Sequence, residues 1–330
     1  MNPAFARHRF GPAERWLARR RVRPAGPVVV LTGGAALASF EAGVVDVLAR
    51  SGPRPSLLVG SSSGALNAAY WAFHPSSEAG LNMAATWRSA RDLGIFPRRP
   101  LHMVRRLLRN GPLGDPRPLR SALQSIFGRD RSIEDAAIPL AIVATDLVRG
   151  QPVMLRRGPL IPALLASTAV PGYYPPVRID GHLLVDGGVV ANACLETVLE
   201  AGHRDAVLVE LQAPAGEEQL DGARSIVEQA LTILLARQSE LERRLAGRRL
   251  RLAVVRLSPA RRPHPWDFGS AEWLFAMGRE AGERLLARHL VGGRVRPGIV
   301  DEAGLGGGGQ AISSNGRAPG RGAPPAPRAG

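Results

Sequence analysis

Lysine is missing altogether from the 330 residues, so all 43 basic side chains are arginine. Without lysine, a phosphate loop of the G-x-x-x-x-G-K-[ST] type cannot be built, and no G-x-G-x-x-G follows a strand pattern to mark a dinucleotide site. Cys194 is the single cysteine, which excludes an internal disulfide and any metal site made from a cysteine cluster. No metal and no cofactor is implied, and a reducing, cytoplasmic setting fits. There is no apolar run of ~18 residues, so no membrane-spanning helix is expected. Zinc-finger, RNA-recognition and helix-turn-helix signatures are also lacking. The arginines are scattered, so a sequence pI near 11.5 argues for general attraction to anionic surfaces rather than for specific nucleic-acid binding.

What is present can bury a large core. Hydrophobic residues make up 45% of the chain, and the formal net charge is +15. Residues 1–24 form a basic arm with Trp16 and Leu17, read as a solvated leader or a short surface helix. The stretch "RRRVRPAGPVVVLTGGAALA" has the outline of a secretory leader, but Gly33 and Gly34 interrupt it. It makes better sense as a strand entering a glycine turn. Strand patterns then follow at 28–34, 56–62, 139–147, 182–188, 206–212 and 251–258, and helical spacing at 40–52, 64–73, 216–249 and 269–291. This alternation predicts an α/β fold with a mainly parallel sheet covered on both faces. From Gly304 onward the composition leaves little to bury and reads as a disordered tail.

Three segments carry chemistry. Gly60-Ser61-Ser62-Ser63-Gly64 has the G-x-S-x-G form with Ser62 at its centre, between a buried-strand pattern and a helix pattern. In that context the serine sits on a sharp turn, its neighbours must be small, and the helix N-terminus behind it offers free N–H groups. A serine hydroxyl needs a base. His203, His264 and His289 lie downstream, but none has a supporting local pattern: His203 reads as a helix-end residue and His264 lies in a proline-rich loop. Asp186 ends the apolar run in "GHLLVDGGVVAN", which puts a carboxylate at a strand end. It is either an Asp-Gly turn residue or the base itself. "LTGGAALASFEAG" (31–43) is a glycine turn between a strand and a helix, suited to phosphate binding or to an oxyanion hole of backbone N–H groups.

In this order, the glycine turn, "GSSSGALNAA", "VATDLVRGQPV" (143–153) and "ASTAVPGYYPPVRIDGHLLVDGGVVAN" (166–192) resemble the patatin-like phospholipase family over residues 27–212. The resemblance implies a three-layer α/β/α fold and a Ser–Asp dyad without histidine. It makes Ser62 the nucleophile and Asp186 the base, with the backbone of Gly33, Gly34 and Ala35 as oxyanion hole. Gly60 and Gly64 support the elbow, and Gly187 and Gly188 the aspartate loop. It implies an acyl hydrolase domain over 25–298, with a helical part at 213–298 and a tail at 299–330, acting on lipid or phospholipid esters. The family's loop reads G-G-G-x-R-G; here Gly33, Gly34, Ala35, Ala36, Leu37 and Ala38 take those places. Two glycines are alanines and the arginine is Leu37, which leaves a weakly active or inactive binding protein as the rival reading. The segment 101–114 alternates leucines with arginines, as a helix on an anionic membrane or against the core would. Tyr173 and Tyr174 are pocket-lining or packing residues.

Overall fold

The structure of the chain, a computed structural model, describes residues 26–90, 112–211, 222–258 and 268–303. The basic arm at 1–24, His264, nearly all of 101–114 and the segment from 304 onward lie outside the described residues.

The first strand, β1 (Val28–Leu31), leads through a 3-10 turn at Ala35–Leu37 into α1 (Ala38–Ser51). Next come β2 (Leu57–Ser61), α2 (Ser63–Phe73), α3 (Ala79–Ser89) and α4 (Pro116–Phe127). β3 (Leu140–Asp146), β4 (Gln151–Leu155), α5 (Leu160–Ser167), β5 (Val177–Ile179) and β6 (His182–Asp186) follow. The last part holds α6 (Leu195–Glu200), β7 (Asp205–Leu211), α7 (Ala223–Ala246), β8 (Arg251–Ser258) and α8 (Ala271–His289). A small antiparallel pair, β9 (Leu290–Val291) and β10 (Arg294–Val295), precedes β11 (Gly298–Ala303).

Among the described residues, nine strands form one sheet in the order β11-β8-β7-β1-β2-β3-β6-β5, with β4 also paired to β3. The run from β11 to β3 is parallel; β4, β5 and β6 add antiparallel pairs. Asp180 and Gly181, both at positive φ, close the β5–β6 hairpin, as an Asp-Gly pair does in a type I′ turn. The sheet continues past the boundary drawn at 298, because β11 pairs with β8 along its whole length.

The central strands carry unbroken apolar runs, at 28–31, 57–59, 140–144 and 206–209, because both faces are covered. Val29, Leu31, Leu58 and Ile142 face a core built with α1 to α5 and α8. Val28, Val30, Leu57, Val59, Ala141 and Val143 face a second core built with α6 and the end of α7. Period-two alternation thus sorts one apolar run into two cores, giving the expected three layers. The helices obey the complementary rule. On α4, Asp115 caps the first turn by accepting the Arg117 N–H at 3.0 Å, Pro116 follows it, and Leu119, Leu123 and Phe127 form the buried stripe.

The strand order reverses at β1, which lies between β2 and β7. Loops leaving the carboxyl ends of strands diverge at such a switch point and leave a crevice there.

Candidate active site

Ser62 sits at the crevice, on the residue between β2 and α2, with φ 54° and ψ −127°. This conformation is costly for a residue with a side chain, of order 1–3 kcal/mol, and is held by its surroundings. The Ser62 N–H donates to Ser167 Oγ at 3.0 Å, and Ser167 Oγ donates to the Val143 carbonyl at 2.6 Å. The two motif glycines are required by contact. A Cβ on Gly64 would stand 2.3 Å from the Leu31 carbonyl oxygen, and one on Gly60 would stand 2.5 Å from Ala65 Cα.

β3 sets the distance between Ser62 and Asp186. Ser61 is in register with Val143 and Asp186 with the next residue, Ala144. Gly187 then passes so close to β2 that a Cβ on it would meet the Val143 carbonyl at 2.4 Å and Ser61 Oγ at 2.7 Å. Ser62 and Asp186, far apart in sequence, are thereby brought to one strand end.

Asp186 is buried. Its Oδ1 accepts the Gly188 N–H at 2.9 Å. Its Oδ2 is enclosed and makes no hydrogen bond of full geometry among the described residues. Burial pushes the carboxyl up to about 6, against the pull of the Ser62 hydroxyl and the Gly188 N–H, which favour the charged form. A carboxylate at that value can accept a proton at neutral pH and return it.

The glycine turn after β1 lies against Ser62: a Cβ on Gly33 would be 2.7 Å from Ser62 Cβ. Its N–H groups are not equally free. Gly33 N–H donates to Asn192 Oδ1 at 2.9 Å, and Gly34 N–H donates to Ser63 Oγ at 3.0 Å. The Ala35 N–H has no acceptor among the described residues. Ala35 has φ 52°, the left-handed region that suits glycine, so replacing the family's glycine leaves strain here. Ala36 and Leu37 are buried, and Leu37 is packed into the apolar core. Position 37 thus contributes packing in this chain, not charge.

None of these contacts to Ser62 involves a histidine. His203 follows α6, its N–H donating to the Val198 carbonyl, and burial lowers its affinity for a proton. His289 Nδ1 lies 3.1 Å from the Arg296 carbonyl at the end of α8. Tyr174 is buried in the core with Tyr173 packed edge-on against it, ring centres 4.9 Å apart. Tyr174 also lines a cavity of its own with Pro116 and Arg120. Among the described residues, no group of three His, Cys, Asp or Glu side chains could hold a metal ion. No helix among them is long and apolar enough to cross a membrane.

Asn192, Ser167 and Ser63 were not singled out by sequence reading. Each is a polar residue in an otherwise small or apolar stretch ("VVAN", "LLAS", "GSSSG"), a weak signal that was available. What each one holds depends on contacts across the fold.

The model of the family described as patatin-like phospholipase matches residues 29–199, just over half of the chain, and the chain belongs to that family. An uncharacterized NTE family protein of Mycobacterium tuberculosis is 49% identical over 59 residues, 18% of this chain and 16% of the relative. The patatin-like phospholipase domain-containing protein 7 of Rattus norvegicus is 27% identical over 185 residues, 56% of this chain and 13% of the relative. The matches thus cover about a sixth or less of these curated relatives. Among solved structures, VipD from Legionella pneumophila aligns over 80% of this chain and 67% of its own, at 15% identity and a TM-score of 0.42.

Proposed function

We propose that the chain is a serine acyl hydrolase that cleaves carboxylic esters of lipids through an acyl-enzyme on Ser62, with Asp186 as the base. Family membership supports a lipid hydrolase in general. The observation that carries the finer reading is the buried Asp186 carboxyl, raised to about 6, with one oxygen unpartnered beside a serine held at φ 54°. In the proposed reaction Asp186 Oδ2 takes the Ser62 proton as Oγ attacks the ester carbonyl. The tetrahedral oxyanion is received by the Ala35 N–H and the partial positive charge at the start of α2. The intermediate collapses, the leaving alcohol takes the proton from Asp186, and the acyl group stays on Ser62. Water then gives its proton to Asp186, attacks the acyl-enzyme and releases the fatty acid, and the proton returns to Ser62.

A fluorophosphonate probe is expected to label the wild type and not Ser62→Ala. Asp186→Asn is expected to lower turnover by about 10²–10⁴, the usual share of a general base. Equal labelling of both proteins, or full turnover by Asp186→Asn, counts against the dyad.

We further propose that the enzyme works against an anionic lipid surface. α7 turns Ile233, Leu234, Leu241 and Leu245 outward, while its Leu235 lies 3.7 Å from the Cβ position of Gly188. An exposed apolar stripe therefore borders the dyad, on a chain of net charge +15.

A second reading, a patatin-fold binding protein with little turnover, is favoured by one observation. Two of the three expected oxyanion donors, at Gly33 and Gly34, already hold protein acceptors. Rapid hydrolysis of a short-chain nitrophenyl ester by the wild type dismisses it.

A further inference from the structure

The glycine turn after β1 is held from two sides. Gly34 N–H donates to Ser63 Oγ, on the first residue of α2, and Gly33 N–H donates to Asn192 Oδ1 at 2.9 Å. Among the described residues, the second is the one hydrogen bond between this turn and the loop that follows Asp186. The turn needs such support, because Ala35 keeps a left-handed φ of 52° without being glycine.

Asn192 stands beside both members of the proposed dyad. The point where a Cβ on Gly33 would lie is 3.3 Å from Asn192 Oδ1 and 3.4 Å from Ser62 Oγ. The corresponding point on Gly188 is 3.5 Å from the same Oδ1 and 3.2 Å from Asp186 Oδ1. The loop that presents Asn192 is itself tied down. Ala191 N–H donates to the Gly187 carbonyl at 3.1 Å, and Cys194 Sγ donates to the Ala191 carbonyl at 2.7 Å. Leu195 N–H then donates to Glu242 Oε2, on α7, at 3.3 Å. Asn192 is buried, so its amide has little freedom to turn away.

The residue type suits the place. An apolar side chain would leave the Gly33 N–H without this acceptor. A carboxylate would accept, but would set a second negative charge beside Asp186. A neutral amide oxygen accepts and adds no charge.

We infer that Asn192 is a positioning residue of the proposed hydrolase: it clamps the glycine turn to the aspartate loop and so holds the Ala35 N–H where the oxyanion forms. The inference rests on the hydrolase reading above. Asn192 acts through the turn and need not touch the substrate.

Two variants of the full chain test it. Asn192→Ala is expected to speed hydrogen exchange at the Gly33 amide by about tenfold or more, because its acceptor is gone. Its kcat on nitrophenyl butyrate is expected to fall by about tenfold or more, with KM kept within about threefold, as for a group that matters in the transition state. Asn192→Asp keeps an acceptor, so Gly33 is expected to stay protected. Its added charge is expected to move the rise of turnover with pH upward by about one pH unit, because it disfavours ionised Asp186. A residue that only fills space moves neither the pH profile nor kcat apart from KM. Should Asn192→Ala fail to fold, Asn192→Asp decides.

Unchanged exchange or full kcat in Asn192→Ala, or an unmoved pH profile in Asn192→Asp, overturns the assignment while an active wild type keeps the hydrolase reading standing. If the wild type cleaves no ester, the hydrolase reading falls. Exchange at Gly33 then judges the clamp by itself: faster exchange in Asn192→Ala supports it, and unchanged exchange removes it.

Discussion

Asp186 sits where burial works against the charge its proposed role requires. Its carboxyl titrates near 6 in the folded chain and near the ordinary aspartate value when unfolded. The folded state therefore binds the extra proton between those two values. The sign follows: the raised group favours folding below about pH 4, and that contribution is lost as pH rises through 6. At pH 8 the loss is on the order of 2–3 kcal/mol. Asp186→Asn, which stays neutral, is expected to be more stable than wild type at pH 8, with the difference shrinking toward pH 4 in denaturant melts. Turnover by the wild type is expected to rise through pH 6 and level off, because the base must be ionised. The candidates for the proposed dyad could be picked out of the sequence, since "GSSSG" and "VDGG" are local patterns. Asn192 was not. Its Oδ1 holds the Gly33 N–H from 159 residues away, a contact no local pattern encodes.

At the scale of elements, the turn from β1 into α1 departs from its family's G-G-G-x-R-G pattern. Ala35 keeps a left-handed φ without glycine, so Ala35→Gly is expected to stabilise the fold by roughly 1 kcal/mol. Four residues after Leu37, Glu41 is fully buried on α1, with Oε2 held by Asn67 and Oε1 unpartnered. Burial raises its carboxyl well above the usual range. Leu37 brings no charge to the buried turn, and burial disfavours the charged form of Glu41. Glu41→Gln copies the protonated form and is expected to match the wild type at low pH and exceed it as pH rises, in the same melts. The strands of the central sheet were readable because burial on both faces makes them continuously apolar. β4, β5 and β11 were not. Gln151–Leu155 is exposed or half-buried along its length, Val177–Ile179 has three residues, and Gly298–Ala303 opens with glycine and carries Asp301 and Glu302. Edge strands like these are held by their neighbours more than by their own composition.

At the scale of the whole molecule, charge and exposed apolar area work together. In the proposed contact with an anionic bilayer, arginines would supply long-range attraction and the outward leucines of α7 the short-range part. Replacing both Leu241 and Leu245 by Asp is expected to weaken binding to phosphatidylglycerol vesicles by about tenfold or more, measured by co-sedimentation. Hydrolysis of a water-soluble short ester is expected to stay unchanged. Undiminished vesicle binding would remove α7 from the contact. The long helix itself was visible in the sequence as a mixed apolar and charged segment. Which of its apolar residues stay uncovered was not, because that is decided by where the sheet stops.

The position of β1 between β2 and β7 has a consequence for how the molecule is made. Val28–Leu31 pairs with Ala206–Val209, and Thr32 Oγ1 takes the Leu211 N–H from 179 residues further along. A ribosome adding about 5–20 residues per second needs on the order of ten seconds or more to travel from one to the other. Through that interval Ser62 has been synthesised but Asp186 and Asn192 are still to come or still unplaced. Under the proposed dyad, the nascent chain therefore gains no ester-cleaving site until β7 has been made and has paired with β1.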